Sequence, residues 1–402
     1  MSSTDTTRRG LLGGIAGITA GLTTLAAAPG LALANALPAM PKGPVAINII
    51  DVAGNLALTQ PAFEAYRTAN PHIVSRITYN QATAPELPGK LKAQQAAGRV
   101  DIDLVLTGTD ALSAGIAEKL WVHLLPEYQA ALPNLSSILL PGALKMQALA
   151  LNQGVCVSFC PGGPLLEYMP DAVKKVPTTA QELLDYTRQN KDRFIYARPA
   201  NSGPGRAWLM GVPYILGDKD PMDPAKGWDK TWAYLRELGK NIPYYPTGTG
   251  AVMKELGEGS RDMTVTMTGW DINPRALGVV PKSAQIGTLK GFHLVTDGHY
   301  MCVPKGVAPD KLAVLLHLMA YMLTPKAQAY NWDKGYFYPG PSVKNVPLSL
   351  APESSQKVIA EYNRPIYAKL LAETPENTPL AADRMVYAFD RWDKQIGAFV
   401  GK

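Results

Sequence analysis

Short apolar or alternating runs, each followed by a segment of helical spacing, recur from Val45 onward and constrain the fold more than any other feature of the chain. Val45–Val52 is the first strand-type run, closed by a Gly54-Asn55 turn, and residues 56–69 then place Leu58, Phe63 and Tyr66 at helical intervals. Ile73–Tyr79 alternates as a second strand, Pro85–Ala97 reads as a second amphipathic helix, and Ile102–Leu106 is a short buried strand. A third helix is expected to open at Asp110, a good N-cap residue. Strands and helices alternating at these lengths predict βαβ units around a mostly parallel sheet, one α/β lobe by about residue 150.

The pattern then repeats. Gln153–Cys160 is a further strand, Thr178 and Gln181 stand at capping-box spacing before a helix, and Phe194–Ala197 is a strand running into the Asn201–Arg206 loop. A helix over Thr247–Gly257 and a strand over Met263–Met267 complete a second α/β lobe. Tyr300–Val303 begins a return, and residues 309–333 and 353–372 read as C-terminal helices. Over 402 residues two or three compact units are expected.

Residues 1–34 read as an export signal, outside the fold. Arg8-Arg9 precedes a weakly hydrophobic Gly/Ala/Thr-rich run that closes on Ala32-Leu33-Ala34, a small-x-small cleavage site. Paired arginines before a mildly hydrophobic stretch indicate the twin-arginine route, which carries folded proteins. The other reading, a membrane anchor over Leu11–Ala34, is opposed by its Gly, Thr and Ala content and by Pro29. The expectation is a signal cleaved near Ala34, a leader over 35–43 and a soluble periplasmic protein.

Net charge is +6, but 39 basic residues are spread among 33 acidic ones without a Lys/Arg cluster, which argues against nucleic acid. Five His and three Cys leave little for a metal site. Cys156 and Cys160 lie four apart in a strand, about 13 Å, too far for a mutual disulfide. His317 in its apolar helix reads as a core histidine. Phosphate-loop, nucleophile-elbow and zinc-protease motifs are missing from the chain, and Thr247-Gly248-Thr249-Gly250 has Met253 where a dinucleotide loop needs its third glycine. No catalytic constellation, cofactor motif or metal set is therefore predicted.

What stands out instead is a set of polar or aromatic tips at strand ends, where ligands of open α/β sheets bind. They are Asn55, the Thr107–Asp110 loop with Thr109, the loop of Asn201, Ser202, Gly203, Gly205 and Arg206, the pair Trp270-Asp271, and Asp297. Each has a bland alternative. Trp270 offers a stacking or cation–π face, or ordinary core packing. Asp271 and Asp297 accept an ammonium, or cap turns and pair with Arg275. The 202–206 segment binds an anion at a helix N-terminus, or is a tight turn. The inventory holds both acidic and anion-binding candidates: an organic cation leads, with a zwitterion or anion as rival.

Several segments together are similar to one family. They are the Ile47–Asp51 strand, Leu91–Leu106 (LKAQQAAGRVDIDLVL), Val176-Pro177-Thr178-Thr179, Thr296–Tyr300 (TDGHY), Val303–Gly306 (VPKG), Leu316–Pro325 (LHLMAYMLTP) and Gly335–Pro339 (GYFYP). In this order the chain resembles the class-II extracytoplasmic solute-binding proteins of ABC importers, a group that includes polyamine, thiamine and ferric-ion binders. It looks closest to a branch without an assigned ligand. The resemblance implies a two-lobed periplasmic-binding-protein fold of type II with β hinge strands, lobe 1 being 44–151 with 296–340 and lobe 2 being 152–295 with 341–402. It further implies a monomeric, non-enzymatic protein that closes over one small solute and docks on ABC permease subunits in the inner membrane. Trp270-Asp271 falls where polyamine binders of this family place an aromatic and a carboxylate. The tandem tyrosine of ferric binders is missing there, and Tyr244-Tyr245 sits too early. Side-by-side hinge strands would bring Cys302 within about 10 Å of Cys156 or Cys160. The rival reading is a periplasmic enzyme exported folded with a cofactor.

Overall fold

The computed structural model describes residues 36–399, so the signal and cleavage site expected over 1–34 lie outside the described residues. Eleven strands are described: β1 (Val45–Asp51), β2 (Val74–Gln81), β3 (Leu104–Thr107), β4 (Val155–Gly163), β5 (Leu165–Tyr168), β6 (Phe194–Ile195), β7 (Met263–Thr266), β8 (Gln285–Gly287), β9 (Leu294–Cys302), β10 (Gly340–Pro341) and β11 (Glu376–Asn377). The first helices are α1 (Leu56–Ala69), α2 (Leu87–Ala96), α3 (Thr109–Ala117), α4 (Leu135–Ile138) and α5 (Pro141–Leu149). Then come α6 (Ala180–Gln189), α7 (Gly203–Ile215), α8 (Asp229–Gly239), α9 (Thr249–Gly257) and α10 (Thr268–Ala276). The last are α11 (Pro309–Met322), α12 (Pro325–Gln328), α13 (Glu353–Tyr362), α14 (Ile366–Glu373) and α15 (Ala382–Gln395).

Two sheets form. The larger has the order β10-β4-β9-β3-β1-β2 with β11 on β9, and the smaller β6-β7-β5-β8. The expected βαβ start is present: β1 pairs in parallel with β2 and β3, and the predicted Leu58, Phe63 and Tyr66 of α1 are all buried, Phe63 and Tyr66 in the larger-sheet core and Leu58 beside Cys160, Ala207, Met267 and Phe337. Both sheets are mixed where a mostly parallel arrangement was expected. The return strand β9 runs antiparallel to β3 and β4, and β5 runs antiparallel to β7 and β8. The reason is connectivity: a chain that leaves one sheet and comes back must reverse direction, and alternation alone does not encode that.

β4 and β9 are the crossing pair. Each has nine residues, all buried, which at about 3.3 Å per residue spans about 30 Å. One end of the pair sits in the core of the larger sheet, with Val155, Cys156 and Val157 facing Tyr300 and Met301, while Val295 at the other end belongs to the core of the smaller sheet. The C-terminal segment is divided between the two. Val343 and Val346 pack in the larger core, whereas Met385, Ala388 and Trp392 of α15 pack in the smaller one.

Boundaries moved where local chemistry overruled periodicity. Gly108, not Asp110, precedes the first turn of α3, and Asp110 lies inside that turn. Thr179 caps α6 by accepting from the Glu182 amide, one residue later than expected, while Thr178 donates to the Glu182 carboxylate. The 309–333 helix breaks at Thr324, whose hydroxyl accepts the Ala327 amide, and the 353–372 helix breaks before Pro365-Ile366. His317 is not the core histidine expected: α11 buries Leu316 and Leu318 but leaves His317 exposed, with its Nδ1 2.7 Å from the Tyr66 hydroxyl. Cys156, Cys160 and Cys302 are all free and buried. Cys156 opposes Tyr300 across β4 and β9, so Cys302 is its diagonal neighbour, about 7–8 Å away.

Candidate functional site

The cavity of interest, about 270 Å³, opens where strand ends of the larger sheet meet helix starts beside the smaller one. From the larger-sheet side it takes Asp51 and Val52–Gly54 between β1 and α1, Gln81 and Ala82 at the end of β2, and Gly108 and Asp110 at the start of α3. From the other side come Asn201, Ser202, Gly203 and Arg206 at the start of α7, Thr249 at the start of α9, and Trp270 in the first turn of α10. Asp297 and His299 of β9 form the back, and Tyr336 and Phe337 of the crossover loop close one flank. This is the crevice beyond strand carboxyl ends that parallel βα units provide.

Its charges are strongly ordered. Arg206 donates through Nη1 to Asp110 Oδ2 and through Nη2 to Asp297 Oδ2, both at 2.7 Å. The three side chains are 5%, 11% and 4% exposed, so this is a nearly buried ion triad rather than a surface pair. Burial opposes the Arg206 charge, but Asp297 and Asp110 outweigh it and hold the guanidinium above its usual range. The Asp51 carboxyl accepts from the Ala53 and Leu56 amides at 2.9 and 2.8 Å; burial pushes it upward against those bonds. Burial, then the Arg206 charge, lower His299 to about 3, so its ring is neutral. Asn55 Nδ2 lies 3.0 Å from His299 Nδ1, and the ring stacks on Phe337 at 4.1 Å.

Trp270 and Tyr336 form an aromatic corner, edge to face with centroids 5.2 Å apart, and the Tyr336 hydroxyl donates to the Ala53 carbonyl at 3.2 Å. A ring face beside carboxylates is a suitable seat for an organic cation. An anion finds less. Ser202 Oγ already accepts the Gly205 amide at 3.0 Å, Pro204 has no amide hydrogen, and both terminal nitrogens of Arg206 are occupied by Asp110 and Asp297.

Seven of the residues named from the sequence line the cavity: Asp110, Asn201, Ser202, Gly203, Arg206, Trp270 and Asp297. Four stand one layer behind it. Asn55 bonds Ser158 and His299, the Thr107 hydroxyl donates to the Gly108 carbonyl, Thr109 reaches Asp297 at 3.5 Å, and the Gly205 amide is used by Ser202. The expectation for Asp271 is overturned. Fully buried, it accepts from Arg275 Nη2 at 2.8 Å, Arg364 Nη2 at 2.6 Å and Tyr367 Oη at 2.6 Å, and does not line the cavity. One residue is about 100° on a helix, so Trp270 and its neighbour cannot face the same space. Asp51, His299, Thr249 and the Tyr336-Phe337 pair were not foreseen. Asp51 does end a strand, the criterion that found the others, whereas the aromatic pair reaches the site only through the crossover.

Glu167 of β5 stands beside the Asp271 cluster with no hydrogen-bond partner for either carboxyl oxygen among the described residues. Burial and then the Asp271 charge push it well above its usual range. Glu167→Gln is therefore expected to equal the parent near pH 4 and become progressively the more stable of the two above pH 4.5, the ordinary glutamate value. The sign follows because ionisation then favours only the unfolded chain. Melting temperatures of both proteins across pH 4–8 check it, and parallel curves would refute it.

Among the described residues there is no group of three or more His, Cys, Asp or Glu side chains placed to hold a metal, and no helix long and apolar enough to cross a membrane. Residues 62–361 match the family described as bacterial extracellular solute-binding protein. The chain belongs to that family. It is a solute-binding protein and not an enzyme, with an α/β architecture shared by solved periplasmic binding proteins. AfuA of Actinobacillus pleuropneumoniae, solved with fructose-6-phosphate, has a TM-score of 0.63 at 15% identity over 89% of this chain and 99% of its own. A periplasmic thiamin-binding protein gives 0.60 at 15% over 89% and 99%. The spermidine/putrescine substrate-binding protein PotD of Streptococcus pneumoniae gives 0.55 at 14% over 86% and 99%. No curated protein sequence matches this solute-binding protein.

Proposed function

We propose that this solute-binding protein captures a small organic cation in the 270 Å³ cavity and delivers it to the permease of an ABC importer. It would act in the periplasm, as a monomer, after removal of the signal. The observation that carries the charge class is the lining itself: three carboxylates, Asp51, Asp110 and Asp297, against the single guanidinium of Arg206, with His299 neutral and the Trp270–Tyr336 corner beside them. A desolvated cavity with surplus negative charge repels an anion and accepts an ammonium group. The volume lies just below the roughly 300–1,000 Å³ of drug-sized pockets, which suits a small solute. Spermidine, putrescine and thiamin, named for two of the structural relatives, are organic cations; fructose-6-phosphate represents the opposite charge.

The test is a thermal-shift and calorimetric comparison of the polyamines and thiamin with fructose-6-phosphate. A true ligand at a hundred times its Kd stabilises by about 2.7 kcal/mol. Trp270→Ala is expected to cost ~1–2 kcal/mol of binding, roughly tenfold in Kd, without loss of stability. Stabilisation by the phosphate and by none of the cations would overturn the reading.

A further inference from the structure

We infer that Arg206 is a built-in counter-ion that holds the empty cavity closed and sets how many positive charges the solute must bring. This rests on the organic-cation reading of the same cavity. Arg206 rises from α7, while Asp110 belongs to α3 beside the larger sheet and Asp297 to the crossing strand β9, so one guanidinium ties three elements of different origin. Both bonds of the tie are made by the protein's own side chains. It nonetheless leaves the triad one negative charge in excess, and the second oxygens remain weakly used. Asp110 Oδ1 accepts only the Ala111 amide, and Asp297 Oδ1 accepts the Gly298 amide at 2.9 Å and Thr109 at 3.5 Å.

An ammonium group entering here binds the same two carboxylates that Arg206 already serves. It therefore meets attraction from the pair and repulsion from the guanidinium. Arg206 acts as one ligand charge permanently supplied by the protein, and with Asp51 the cavity then matches a dication. Arg206→Met keeps the length and apolar stem but removes the charge. The α7 side then loses both of its bonds to Asp110 and Asp297, which lie together beside the larger sheet, so the triad no longer ties the two sides until a ligand supplies the missing charge.

The experiment measures Kd for butylamine, putrescine and spermidine, carrying one, two and three ammonium groups, on the parent protein and Arg206→Met. Small-angle scattering of both empty proteins accompanies it. The parent is expected to prefer putrescine over butylamine more strongly than it prefers spermidine over putrescine. In Arg206→Met the spermidine-to-putrescine preference rises by roughly tenfold or more, the size of one unit-charge interaction across about 10 Å at an effective dielectric of 20. The empty variant has a larger radius of gyration, which contracts on adding spermidine.

Amine binding by the parent with unchanged preferences in the variant would defeat the charge-counting role while the organic-cation reading stands. Absence of amine binding by the parent defeats that reading, and the scattering result still decides the closure role: an unchanged empty radius refutes it. Arg206→Lys guards against misfolding, since one ammonium keeps the charge but cannot span both carboxylates. It is expected to enlarge the empty radius and leave the preferences as in the parent, and the opposite pattern counts against the inference.

Discussion

Asp271→Ala is expected to be the most destabilising single change in the molecule outside the large core side chains, by about 3–5 kcal/mol, the cost of removing one partner of a buried ion cluster. The carboxylate is fully buried and receives Arg275, Arg364 and the Tyr367 hydroxyl. Two of these come from the segment around α14, which the cluster fastens beside β5 and α10. Without it, two guanidinium groups at 5% and 12% exposure keep their charge and lose their carboxylate partner, retaining only neutral acceptors such as the Tyr362 and Ala284 carbonyls. Urea unfolding measures the loss, and binding assayed well below the melting temperature should change by less than about twofold. A parent-like stability with weakened binding would return Asp271 to the ligand site and refute the structural account.

Gly162→Ala is expected to follow, at roughly 2–5 kcal/mol from backbone strain and overpacking combined. Gly162 sits in β4 with φ at +93°, and an added Cβ would press on the Val295 carbonyl of β9. A flexible side chain at that point could swing aside, but a strand carbonyl can yield only by moving its strand. The neighbouring pair across these strands is Cys160 and Asp297, so the same displacement disturbs the Arg206 triad. Both stability and ligand affinity should therefore fall together, in contrast to Asp271→Ala. Unfolding and calorimetry on the variant check this, and a loss below about 1 kcal/mol would show that the crossing is not rigid here.

These two positions mark where reading the chain succeeds and where it stops. The α/β class, the first βαβ units, the buried residues of α1 and the strand-end loops of the cavity follow from local pattern, because hydrophobic periodicity and turn chemistry act within a window of about 11–18 residues. Seven cavity residues were found this way. The same rule could not separate Trp270 from Asp271. Adjacent residues share every local signal, and only the helix direction, set by packing of α10 against α13 and β4, sends one to the cavity and the other to the core.

Whole-chain properties divide likewise. Basic residues scattered without a cluster and the absence of catalytic motifs speak, in the sequence itself, against nucleic acid and catalysis, since those features are carried by composition and short sequence. The pairing of Arg206 with Asp110 and Asp297, 96 and 91 residues away, was decided only by the tertiary structure. So was the arrival of Tyr336 beside Trp270 and of His299 behind it. The physical reason is range: a charge or a ring in the sequence declares its chemistry, but its partner is chosen by strand crossing and burial, which no local pattern records.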